Sequence, residues 1–142
     1  MTTKWYHGSN RRFTVLRAGS TVTPNRALAE SFSHKPSLLS CEEDGTILHN
    51  GRRRGFLYIV EPFHAETDFI PHPRTTLPPG AEYLTTRPLR VRLIAELGRP
   101  DTKAHRSAAR RLKAKAQGKR NEAQGVDSLS NLPSVEPQKA NR

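Results

Sequence analysis

Two groups of residues in this chain have the types and spacing to do chemistry. One is Tyr6-His7-Gly8-Ser9, where a histidine closes a short aromatic run just before a turn with exposed backbone amides. The other is the acidic cluster Glu61, Glu66 and Asp68, directly after the most apolar segment of the chain. Taken singly, a strand histidine with a structural hydrogen bond and a solvated acidic loop would account for them. Other chemistries lack their signatures: there is no G-x-G-x-x-G, G-K-[ST], H-E-x-x-H or G-x-S-x-G. The six histidines and Cys41 form no paired ligand spacing. His34, Cys41 and His49 could be drawn together, but lone ligands on a turn-rich segment predict no metal site.

The elements that must position these groups are short. Lys4 to His7 reads as a strand entering the Gly8-Ser9-Asn10 turn, Phe13 to Leu16 as a second extended piece and Thr21-Val22-Thr23 as a third. Thr23-Pro24 predicts a helix start, a hydroxyl cap followed by proline, and Ala27 to Ser33 continue that helix. Glu43-Asp44-Gly45 and His49-Asn50-Gly51 both read as turns, and Thr46 to Leu48 as one strand of a hairpin across the second. Gly55 to Glu61 is apolar on both faces, as a central, doubly covered strand is. Residues 63–88 are rich in proline and read as irregular. Leu89 to Glu96 alternates, with Leu89, Val91, Leu93 and Ala95 on one face. Several short strands with one definite helix and no βαβ alternation predict a small α+β domain.

Composition divides the chain. All nine aromatic residues lie between Trp5 and Tyr83, and after Leu97 the large aliphatic side chains are Leu112, Val126, Leu129, Leu132 and Val135 alone. So few cannot offset the entropy of ordering some forty others, so a folded domain is expected over 1–99 and a largely disordered or partly helical tail over 100–142. Thr102 to Ala116 has helix propensity without an apolar stripe. Residues 1–100 carry 14 basic and 9 acidic side chains and residues 101–142 carry 10 and 4, so the tail holds more than half of the net charge of +11. Such a tail attracts phosphate polymers without sequence preference, or it keeps a small protein in solution. One cysteine excludes an internal disulfide, and neither a signal peptide nor a membrane span is legible, so a cytoplasmic monomer is expected.

The order of the segments adds to this. A strand with Tyr-His-Gly, a short β-branched strand leading into an Ala-rich helix, then a core strand followed by an acid resembles an ADP-ribosyltransferase of the histidine–tyrosine–acid class. Within it, the chain looks most like the small rifamycin-modifying ADP-ribosyltransferases. Their Tyr/Leu-His-Gly-Thr/Ser start is matched by Tyr6-His7-Gly8-Ser9, and their I-V-E-P strand end by Ile59-Val60-Glu61-Pro62. Their P-G-(x)-S-Y-R-T-x-E-P-L-R-I segment is echoed from Pro79-Gly80 through Tyr83 and Thr85 to Pro88-Leu89-Arg90-Val91. The resemblance covers roughly Trp5 to Arg99 and implies a split antiparallel sheet with one main helix and long loops.

It implies a mono-ADP-ribosyltransferase that uses NAD as co-substrate, needs no metal, and delivers ADP-ribose to a rifamycin-like hydroxyl or a macromolecular acceptor. His7 would bind ribose hydroxyls, with Tyr6, Gly8, Ser9, Thr21 and Thr23 around the dinucleotide and the Gly8 backbone on the nicotinamide amide. Asp68 is the expected catalytic acid, stabilising the positive charge that develops on the ribose or taking a proton from the acceptor, with Glu66 next in line and Glu61 part of the strand end. Thr21-Val22-Thr23 stands where the family has a stacking tyrosine, so Phe32 or Phe69 must supply the aromatic face, or catalysis is weakened. A related fold suggests an RNA 2'-phosphotransferase, with Arg11, Arg12, Arg87 and Arg90 on the phosphate. A non-catalytic nucleic-acid-binding protein gripping through its tail is a third expectation.

Overall fold

The computed structural model describes residues 3–130, and side chains as far as residue 118. The chain is α+β, built on antiparallel strands. Its centre is β6 (Gly55–Val60), which lies between β1 (Tyr6–Ser9) and β9 (Leu89–Leu97). The strand is central because it is apolar on both faces: Tyr58 and Val60 enter the main core, while Leu57 and Ile59 are buried on the side where α1 (Arg26–Ser33) packs. β2 (Val15–Leu16) extends the far edge of β9.

A second sheet, β3 (Thr21–Val22), β8 (Tyr83–Thr85) and β7 (Phe69–Pro71), meets the first through one backbone pair, Tyr6 with Thr23. The split sheet is therefore as expected. Trp5, Val22 and Phe69 fill the space between the sheets with Leu16, Tyr58, Val60, Leu89 and Val91. Trp5 stacks on Phe69 at 4.2 Å between ring centroids and meets Tyr83 edge-on. Burial of each such large apolar side chain contributes roughly 1.5–3 kcal/mol.

Several local expectations are corrected. Helix α1 is capped by Asn25, whose side chain accepts from Leu28 N at 3.2 Å, while Thr23 forms the preceding turn by accepting from Asn25 N. Residues 63–88 are not irregular throughout: α2 (Ala65–Asp68), β7 and β8 lie within them. The hairpin strand β5 (Ile47–His49) pairs with β4 (Leu39–Cys41), so it turns at Glu43-Asp44-Gly45 and not at His49-Asn50-Gly51. Gly45, at φ +91°, makes that first turn the tight one.

Packing also runs past Arg99. Helix α3 (Lys103–Ser130) lies against β5, with Ala108 and Leu112 buried and His105 Nε2–H donating to Gly51 O at 2.8 Å. Residues 105, 108 and 112 share one face, a stripe too narrow and too weakly apolar to stand out in the sequence. The part of the tail expectation that falls on residues 131–142 lies outside the described residues. No helix among the described residues is long and apolar enough to cross a membrane.

The α3 contact is expected to weaken in acid. His49 lies between His34 and His105, with ring centroids 5.6 and 4.7 Å away, and its Nδ1 accepts from Gly51 N at 3.0 Å. Burial, then the neighbouring His105 and His34, push its pKa from the ordinary 6.5 down to about 4. The folded state thus holds fewer protons than the unfolded chain, so this contribution is complete above pH 6.5 and is lost as pH falls toward 4. Far-UV circular dichroism should report loss of helix over that range, and His49→Phe should remove the dependence. A helical signal that ignores pH between those values in the native chain would contradict the arrangement.

Candidate active site

Strand β1 ends where α1 comes closest. A Cβ on Gly8 would overlap the Ala29 carbonyl oxygen and stand 2.8 Å from Ser33 N, so only glycine lets the helix sit down on the strand. Gly55 does the same opposite Ser33. The open space that Gly8 provides is therefore taken by the helix.

With α1 seated there, a cleft of about 620 Å³ opens beside the strand end, lined by His7, Gly8, Ser20, Thr21 and Phe32, with Lys35 to Leu39, Thr76, Leu77 and Glu82 closing it. The size is within the range of small-molecule sites.

His7 Nδ1 lies 2.6 Å from the Thr21 carbonyl oxygen. A carbonyl only accepts, so Nδ1 carries the proton and donates it, which leaves Nε2 of the neutral ring as a hydrogen-bond acceptor. Burial lowers the His7 pKa, against the opposing effect of that carbonyl bond and with the nearby Lys35 cation adding to the lowering, so the neutral form is favoured. Lys35 itself follows α1 in the left-handed region at φ 55°, which ends the helix and turns the chain along the cleft.

Glu82 closes the cleft from the long loop before β8. Its backbone carbonyl accepts from His72 N at 3.0 Å and its Oε1 accepts from Thr75 Oγ1–H at 2.6 Å, which ties both ends of the loop together. Thr75 Oγ1 in turn accepts from Leu77 N at 3.1 Å. The carboxylate is thus held, half-buried, in the same cavity as His7.

Of the expected site residues, His7, Gly8 and Thr21 meet in this cleft, and Phe32 brings the aromatic face. Phe69 does not, because it is stacked on Trp5 in the core. Tyr6 and Thr23 pair their backbones to join the two sheets, and Ser9 is the buried last residue of β1, its Oγ accepting from Arg11 N. None of the three lines the cleft.

Asp68 lies apart from this cleft. It is 2% exposed and is engaged by Arg87 through two bonds, Nε to Oδ1 at 2.7 Å and Nη2 to Oδ2 at 3.0 Å. Its Oδ2 also accepts from His64 N at 2.7 Å, and it does not line the cleft. The Arg87 hydrogen bonds hold its pKa below the ordinary carboxylate value. This carboxylate anchors α2 to the strap before β9; it has no face free for a substrate. Glu66 is exposed on α2, and Glu61 pairs with Arg92 at 2.9 Å. Asp68→Asn should cost about 2 kcal/mol of stability, since it removes the charge from a buried pair whose arginine is half-exposed. Denaturant unfolding checks this, and an unfolding free energy equal to that of the native chain would contradict the anchoring role.

Sequence reasoning missed Glu82 and Lys35. The signal for Glu82 was a lone acid directly before Tyr83 in the proline-rich stretch, separated from His7 by most of the folded chain. Among the described residues no group of three or more histidine, cysteine or acidic side chains is arranged to hold a metal ion. Set against family models, curated proteins and solved structures, the chain matches none of them.

Proposed function

We propose that this cleft binds NAD and transfers its ADP-ribose to an acceptor. The observation that carries the reading is that His7, Phe32, Lys35 and Glu82 line one cavity of ligand size. Each meets a separate need of that substrate. His7 Nε2 accepts from ribose hydroxyls, Phe32 offers a face for a planar ring, and Lys35 supplies a cation for the diphosphate. Glu82 supplies the carboxylate. Cleavage of the bond between nicotinamide and ribose develops positive charge on the sugar, and a carboxylate fixed beside it in a partly dry cleft stabilises that charge. The same carboxylate takes the proton of an acceptor hydroxyl.

The phosphotransferase reading draws no comparable support, because its four arginines are scattered. Arg87 is committed to Asp68, Arg12 to Glu96 at 2.9 Å, and Arg90 is exposed on β9. Incubation of the native chain with NAD labelled in its ADP-ribose half, followed by separation of small-molecule, protein and nucleic-acid fractions, tests the proposal. Label should leave NAD with release of nicotinamide; intact NAD in every fraction would sink it.

A further inference from the structure

A second cavity, of about 670 Å³, lies between the segment after β5 and the start of α3. Five arginines line it: Arg52 and Arg53 from one side, Arg99, Arg106 and Arg110 from the other. Asp101 is the one acid in the lining, and it is paired with Arg106 at 2.8 Å. Among the described residues the other four make no ion pair, and all five are exposed. Assembling four uncompensated guanidinium groups around one groove is unfavourable unless an anion joins them, and planar forks of this kind suit phosphate oxygens.

The groove is connected to the NAD cleft by shared residues. Arg53 also lines a shallower cleft with Arg11 and Lys35, and Lys35 lines the cleft of His7 and Glu82. A basic path therefore runs from the α3 groove through Arg53 and Lys35 to the reacting centre. A small apolar or neutral acceptor has no use for such a path, whereas a strand carrying a phosphate at each residue does.

We infer that the acceptor is a single nucleic-acid strand, whose phosphates lie along Arg110, Arg52 and Arg53 while one of its hydroxyls enters beside Glu82. This rests on the NAD reading given above. In the step, the strand's hydroxyl oxygen forms a bond to the ribose carbon that carried nicotinamide. The carbon–nitrogen bond breaks, its electron pair leaves with nicotinamide and neutralises the pyridinium, and the hydroxyl proton passes to Glu82. No oxidant or metal is required.

The test uses the full native chain with labelled NAD and fluorescent RNA and DNA oligonucleotides of about twelve nucleotides, within the span such grooves cover. Both oligonucleotides should bind, and raising salt from about 50 to 200 mM should weaken binding on the order of a hundredfold. Label should appear on at least one of them. The double variant Arg52→Glu, Arg110→Glu should lower binding at low salt by at least about tenfold and lower label transfer with it, while release of nicotinamide in the absence of any strand stays at the native rate. Oligonucleotides that do not bind, binding indifferent to the double variant, or label found only on small molecules or protein would overturn the inference. Nicotinamide release without a strand reports on the NAD reading alone, so failure of either claim is seen separately.

Discussion

Glu82→Gln is expected to lower nicotinamide release from NAD by about three orders of magnitude. The substitution keeps the size of the side chain and an oxygen that can still accept from Thr75 Oγ1–H, so the loop before β8 should hold its shape. What disappears is the negative charge proposed to stabilise the sugar. Thermal unfolding should therefore move by no more than about 3 °C, since only a half-exposed hydrogen bond is altered. Turnover within tenfold of native would show that the carboxylate stabilises nothing on the reaction path. A collapse of stability would show that Glu82 serves the loop alone.

Gly8→Ala is expected to have the largest effect on the fold, a loss of about 3 kcal/mol or more. The added methyl would meet backbone atoms, the Ala29 carbonyl group and Ser33 N, and no side chain can swing aside to admit it. Relief requires α1 to lift from β1, which uncovers Leu28 and Ala29 and displaces Phe32 and Lys35 from the cleft. Activity should fall together with stability. Gly98→Ala is the control: no atom lies within 4 Å of its would-be Cβ, so a change within about 0.5 kcal/mol is expected. Urea unfolding of the two variants separates the cases, and a neutral Gly8→Ala would contradict the close seating of the helix.

Gly8 also marks how far the sequence could be read. Its neighbour His7, its turn and the helix that follows were legible because they are local and strongly typed. The central strand was legible because six consecutive positions of it are apolar. The number of short strands announced the α+β class, whereas the split into two sheets came only from the resemblance. Asp68 was singled out because it follows the core strand directly, and nothing local announces that Arg87 engages it from 19 residues away. Glu82 reaches the cleft only because His72 N and Thr75 Oγ1 fold the loop back upon it. Such a closure is a tertiary event with no periodicity to betray it.

The hairpin was misread, and the docking of α3 went unread, for a related reason. Two turn signals lay close together, and only pairing of Leu39 with His49 decides which one closes the strands. As far as residue 118, helix α3 carries two buried apolar residues and a histidine on its packed face, too little to distinguish a docked helix from a solvated one. The arginine groove arises from that docking, since Arg106 and Arg110 meet Arg52 and Arg53 only once α3 lies on β5.

The most direct measurement is the rate of nicotinamide release from NAD by the native chain, run beside Glu82→Gln and Asp68→Asn. Release by the native chain and by folded Asp68→Asn, with Glu82→Gln inactive, is the expected result. No release by the native chain, or equal rates from all three, would contradict an NAD site built on His7 and Glu82.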